Sequence, residues 1–226
     1  WSHDSRDLWP DGHAYADWVH EKGHVLAELR EDTASLPPAL HQTTWCANKT
    51  IEFLQQHQET PWFFSFNCFD PHHPFDPPAD YFQRYQPQQM PLPRFQPGEL
   101  ANKPRFQQLD HEWAHNEPGF FPVSKMTAAD QQEVTAAYYG MIEWADTQFG
   151  RVISKLEALN VLDDFVIVFL SDHGEMLGEK GLWEKQQYFD SSVRVPFFIS
   201  WPQKFNRGST VIQENVSLVD LFPTLC

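Results

Sequence analysis

The run Phe165-Val166-Ile167-Val168-Phe169-Leu170 constrains the fold more than any other segment of the chain. Bulky apolar residues without alternation predict a strand buried on both faces, as in a parallel sheet covered by helices. A long helical pattern leads into it. Thr127 followed by Asp130 reads as a capping box at a helix start. Val134, Tyr138, Met141, Ala145, Phe149, Val152, Leu156 and Leu159 then recur three and four apart, which predicts one apolar helical stripe. Gly140 and Gly150 fall inside this pattern and predict a kink or a close packing contact.

Other segments alternate in the same way. A helix is expected from Thr43 to His57, with Trp45, Ile51, Phe53 and Leu54 as core contacts. Trp62-Phe63-Phe64-Ser65-Phe66 reads as a second buried strand, and Val195-Pro196-Phe197-Phe198-Ile199 as a third, with Pro196 at its beginning or on an edge. Helices between strands make the expected class α/β, with a largely parallel sheet flanked by helices. The Pro-rich, aromatic segment 76–126 reads as an ordered loop insertion, and the prolines of 71–104 exclude a regular helix or central strand there. Residues 1–40 yield no assignment beyond a loop at Leu36-Pro37-Pro38.

Composition narrows the partners. A net charge of -15 argues against nucleic acid, whose phosphates need a basic face. A small anion remains admissible wherever a metal ion, a Lys or a protonated His supplies local positive charge. Cys46, Cys68 and Cys226 form no CxxC pair and no even framework, so neither a disulfide scaffold nor a zinc knuckle is expected. No apolar run reaches transmembrane length. The chain opens at Trp1 without a signal peptide and stops within an apolar stretch. It is therefore expected to be an internal segment of a longer polypeptide, with cytoplasmic, periplasmic and secreted locations all open. Oligomeric state is not legible.

Polar clusters follow the expected strands, where open α/β sheets place ligands. Behind the first run stands Ser171-Asp172-His173-Gly174-Glu175. Asp172 and His173 offer an oxygen and a nitrogen to one centre. Neighbouring strand side chains point to opposite faces, so both reach one metal only if the chain turns, and Gly174 permits that turn. From these five residues alone, a metal site and a simple strand-end corner weigh equally. The second strand runs into Asn67-Cys68-Phe69-Asp70-Pro71-His72-His73-Pro74-Phe75. Lys185 follows Asp172 at a distance that lets it return to the same mouth. A cation, a Lys and a His converging would bind a tetrahedral oxyanion.

Together these motifs resemble the sulfatases of the alkaline-phosphatase-like superfamily. The resemblance is carried by Ser171-Asp172-His173-Gly174-Glu175, Lys185, Phe189-Asp190 and Val193-Arg194-Val195-Pro196. Asp70-Pro71-His72-His73-Pro74-Phe75 resembles the family's His-x-Pro motif, and Asp146, Gly150 and Ser217–Thr224 also look like family segments. The resemblance implies that Asp172 and His173 are two ligands of a divalent cation, expected to be Ca²⁺. It makes Lys185 a contact to the sulfate or bridging oxygen, and His72 a contact to the leaving-group oxygen or a general acid. His73 is a neighbouring substrate-binding candidate. The implied substrate is a small-molecule or saccharide sulfate ester. The family's C/S-x-P-x-R motif, source of its formylglycine nucleophile, surrounds none of the cysteines or serines here. Nucleophile and paired N-terminal Asp ligands are therefore expected upstream, and residues 1–226 read as part of a sulfatase catalytic domain that is inactive alone. Two alternatives stand beside the sulfatase: a phosphonate monoester or phosphodiester hydrolase on the same scaffold, and a degenerate relative without turnover.

Blander roles compete at single positions. Lys185 alone would be a solvated charge, and His72 and His73 turn caps. Glu175 and Glu179 read as loop carboxylates, Arg194 as a structural ion pair, and Cys68 as a small apolar strand-end residue. Trp183 reads as core or pocket lining.

Overall fold

The structure, a computed structural model, describes residues 13–29, 36–96, 98–116, 125–185, 187–205 and 210–226. The end of the 76–126 insertion and much of the N-terminal stretch lie outside these. The chain divides into two compact units, Trp1–Arg94 with Ser124–Leu159, and Phe95–Val123 with Asn160–Cys226. Nothing in the hydropathy pattern announced that division.

The first unit is helical. It contains α1 (Ala14–Glu21), α2 (Leu26–Leu29), α3 (Gln42–Gln56), α4 (Ala79–Phe82) and, beyond α5 (Arg105–Asn116), which belongs to the second unit, α6 (Ala128–Ala158). The Thr127–Asp130 capping box starts α6 as the sequence predicts, each residue satisfying an orphan amide of the other. The buried stripe of α6 is rotated from the expected one. Ala137, Met141, Trp144, Gln148, Val152 and Leu156 are buried, while Tyr138, Ala145 and Phe149 are only half-buried. Gly140 explains the rotation. A Cβ there would meet Pro77 Cβ and Tyr81 O at 3.2 Å, so α4 crosses the helix at the glycine. Gly150 has nothing within 4 Å and imposes no such approach.

Helix α3 matches its expected span, but its buried face is Thr43, Ala47, Thr50 and Leu54, with Trp45, Ile51 and Phe53 half-buried. Trp45 packs instead on a small cluster of Tyr15, Val19, Leu26 and Leu36. The spacing of Tyr15, Trp18 and Val19 was a readable helical signal in the stretch that resisted assignment. The one-turn helix α4 corrects the expectation that prolines exclude any helix from 71–104. Pro78 precedes it as the N-cap: its carbonyl accepts from Phe82 N–H at 3.0 Å, and the amide that proline lacks is not needed there.

The expected strand at 62–66 does not form: these residues join no ladder among the described residues. They alternate instead of being uniformly buried, with Phe63 83% exposed and Trp62, Phe64 and Phe66 half-buried.

The second unit holds α5 (Arg105–Asn116), strand β1 (Ile167–Leu170), α7 (Asp190–Val193), strand β2 (Phe197–Ser200) and α8 (Leu221–Leu225). Where parallel neighbours were expected, the ladder among the described residues is antiparallel, running from Ile167↔Ser200 to Leu170↔Phe197. The rings of Phe169 and Phe198 stack across it at 4.6 Å. All of β1 is half-buried, not buried on both faces. The pairing has a geometric consequence. The carboxyl end of β1 and the amino end of β2 are adjacent, so the whole connection 171–196 leaves and returns at one end of the ladder.

Candidate functional site

The 171–196 connection carries Asp172, His173 and Lys185, and its own backbone folds it. Gly174 N–H donates to Ser192 O at 2.7 Å, Met176 N–H to Glu184 O at 2.9 Å, and Gly178 N–H to Leu182 O at 2.8 Å. Ser192 Oγ donates to the carbonyl of Lys185. Inside the loop Met176, Leu182 and Trp183 are buried, giving it a core of its own. Trp183 is thus core.

Gly174 is required for closeness, not for a left-handed turn. A Cβ at this position would sit 2.0 Å from the carbonyl oxygen of Ser191, which no side-chain rotation can relieve. Glu175 is more than a loop carboxylate. Its Oε1 accepts from Glu184 N–H at 2.6 Å and Leu177 N–H at 3.2 Å, tying the Asp172–His173 segment to the residue before Lys185. Burial pushes its carboxyl up, against the pull of those two amides. Glu179 ties the loop to α7 by accepting from Ser191 Oγ.

The result is an open cavity of about 370 Å³ lined by Asp172, His173, Lys185, Gln187, Tyr188, Ser192 and Val193. Lys185 therefore shares one cavity with two residues remote in sequence. The Asp172 side chain is 83% exposed, and its Oδ2 lies 3.7 Å from His173 Nε2. His173 Nδ1 is 2.8 Å from Gly174 O. That contact assigns the proton to Nδ1 and turns Nε2 toward the carboxylate, the arrangement seen when a backbone carbonyl orients a metal-binding imidazole. The pair fits a divalent cation as two of its donors. No group of three or more His, Cys, Asp or Glu side chains converges into a complete shell among the described residues. Arg194 forms the expected ion pair, with Asp190 at 3.7 Å on the surface.

His72 and His73 belong to the first unit. Their rings lie 4.0 Å apart, and Phe69 and Phe75 flank them. His72 Nδ1 is 2.7 Å from the His73 carbonyl oxygen. The turn is anchored through Asp70, whose Oδ2 accepts from Thr43 Oγ1 at 2.7 Å and lies 3.7 Å from His41 Nδ1. Both anchors stand at the start of α3, where the helix dipole also favours a carboxylate. Sequence reasoning missed His41 and Thr43, because nothing local links them to Asp70, 27 positions beyond Thr43.

The settings of Cys46 and Cys68 disfavour the thiolate. Burial, with Asp70 adding to it, pushes the Cys46 thiol up to about 12. Cys68 is raised by burial, then by Asp70 and Cys46. Both remain protonated near neutrality, as suits the structural reading of Cys68.

A loop-borne oxygen–nitrogen pair and a lysine thus line one cavity at the end of the ladder. Comparison gives the scaffold its class. The chain is similar to the solved phosphonate monoester hydrolase of Agrobacterium radiobacter, with a TM-score of 0.74 and 29% identity over 88% of this chain and 43% of that one. It is also similar to phosphonate monoester hydrolase SpPMH from Silicibacter pomeroyi, with a TM-score of 0.75 and 26% identity over 85% and 42%. These likenesses show the incomplete α/β, alkaline-phosphatase-like fold.

The Sulfatase family model matches residues 14–226, and the chain belongs to the sulfatase family. Among curated relatives, an arylsulfatase of Clostridium perfringens is 33% identical, over 93% of this chain and 45% of its own length. The multifunctional alkaline phosphatase superfamily protein PehA of Trinickia caryophylli is 29% identical, over 96% and 46%. The chain thus spans about half the length of the curated relatives it matches.

Proposed function

We propose that this chain is part of a sulfatase that converts a sulfate ester and water to an alcohol and sulfate, with the S–O bond to the alcohol broken. Family membership supports the chemistry. The observation that carries the reading at residue level is the shared cavity of Asp172, His173 and Lys185. Lys185 holds a sulfate or bridging oxygen and neutralises the charge that grows there as the ester breaks, a role in which a fixed cation acts strongly. Asp172 and His173 hold a divalent cation, which when bound polarises the sulfate oxygens as a Lewis acid. Calcium is the expected ion, with the carboxylate as its preferred donor. His72 contacts or protonates the leaving-group oxygen, and His73 supports the same substrate region. The attacking group, a formylglycine by resemblance, comes from sequence other than residues 1–226.

The same scaffold supports a second reading, a phosphonate monoester hydrolase, because the solved structures that resemble it carry that activity in their names. The ratio of aryl sulfate to aryl phosphonate hydrolysis by the whole protein separates the two. The sulfatase reading expects kcat/KM for 4-nitrophenyl sulfate to exceed that for phenyl phosphonate esters at least tenfold. The reverse order makes the protein a phosphonate hydrolase. Turnover of neither makes it a non-catalytic relative.

A further inference from the structure

The cavity has two dissimilar sides. Asp172, His173 and Lys185 supply its charge, while Tyr188 and Val193 line it with exposed apolar surface. Tyr188 is 80% exposed, an unusual setting for a large ring beside a charged recess. It does not stand alone. Phe106 of α5 meets it edge to face, with ring centroids 6.1 Å apart and planes at 83°, and is itself 46% exposed. A T-shaped contact supports one ring through the other and leaves ring surface for a third partner.

The position of Phe106 is built. Lys180 pairs with Glu99, joining the segment before α5 to the 171–196 loop. His111 of α5 and Phe95 close over Gly181, where a Cβ would lie 2.7 Å from His111 Nε2 and 3.1 Å from Phe95 Cε1. Gly181 also has a φ of 69°, which any side chain would strain. The insertion is thus clamped to the loop on the stretch just before Lys185. A solvated loop that merely tolerated an aromatic would need no such clamp.

From these observations we infer a leaving-group subsite: Tyr188, backed by Phe106 and bordered by Val193, binds the ring of a cyclic ester while the charged side binds its anion. The inference rests on the hydrolase reading for the word leaving-group, but the ring site itself does not. The shared ligand chemistry is a ring face, aromatic or saturated. Stacking on a tyrosine contributes more for an aromatic face, so an aryl ester is the class favoured.

Sulfonates, whose C–S bond is not an ester, test the subsite without turnover. Benzylsulfonate, cyclohexylmethanesulfonate and methanesulfonate are titrated into the whole protein and its Y188A and Y188F variants by calorimetry. Tyr188 is exposed, so both variants are expected to fold, and thermal melting checks this. The subsite predicts that wild type binds benzylsulfonate at least tenfold tighter than methanesulfonate, that Y188A reduces the ratio below threefold, and that Y188F keeps it. An equal loss for the cyclohexyl compound assigns a general ring site, and a smaller loss an aromatic one. A ratio unchanged by Y188A, or no discrimination in wild type, overturns the subsite even if the protein hydrolyses sulfate esters. Ring discrimination removed by Y188A in a protein without turnover overturns the hydrolase reading and leaves the subsite standing.

Discussion

The loop 171–193 and the turn 70–74 both follow segments that read as strands, and both carry histidines, yet they are held in different ways. In the loop, Gly174, Met176 and Gly178 donate backbone amides across to Ser192, Glu184 and Leu182, over a core of Met176, Leu182 and Trp183. The turn has a backbone bond, His72 N–H to Phe69 O at 3.0 Å, and a buried side chain as its tie to α3. Asp70, whose carboxylate is only 4% exposed, hangs on Thr43 and His41 at the start of α3. A cross-linked loop fixes its functional groups by its own sequence. A turn anchored by one carboxylate depends on a partner far along the chain. The first should therefore be most sensitive to steric intrusion, and the second to loss of a hydrogen bond to Asp70.

The largest effect is expected at Gly174. G174A places a methyl group against the Ser191 carbonyl at a distance that backbone must yield to. Overpacking of this kind should cost about 3 kcal/mol or unravel the loop, as read by urea denaturation and by loss of the Gly174 amide's protection from exchange. An unperturbed G174A protein would show the loop to be looser than described.

T43V tests the other region. Valine keeps the shape and removes the hydroxyl that donates to the Asp70 carboxylate. The expected loss is about 2 kcal/mol, because the bond serves a charged, buried acceptor. A change below about 0.5 kcal/mol would move the anchor elsewhere.

The smallest effect concerns neither region and calibrates both. T127A should cost about 1 kcal/mol through the α6 cap. The backbone and hydroxyl donors of Thr127 hold the Asp130 carboxyl below its ordinary 3.8. A depressed native pKa stabilises above the unfolded value and is lost as pH falls through the native one. The part of the T127A deficit that runs through Asp130 should thus be full at neutral pH and fade below about pH 4. A deficit constant down to pH 2 would contradict the cap.

These contrasts mirror what was legible in the sequence. The capping box, the spans of α3 and α6 and the grouping of Asp172, His173 and Lys185 follow from local periodicity and spacing, which chain chemistry enforces directly. Three features did not. The antiparallel pairing of β1 with β2 depends on how the intervening loop reverses, and an apolar run looks the same either way. The rotated stripe of α6 depends on Gly140 meeting α4, a contact between distant segments. Glu175 read as a bland carboxylate because its partners are backbone amides, which leave no mark on side-chain pattern.

The role assigned to the 171–193 loop meets its most direct test in K185A and D172A variants of the whole protein, assayed with 4-nitrophenyl sulfate at saturating substrate. Circular dichroism and melting confirm that each variant is folded. Removing a group that faces developing charge should lower kcat about 100-fold or more in each. Wild-type-like turnover in either variant would contradict the assignment of that cavity as the oxyanion site.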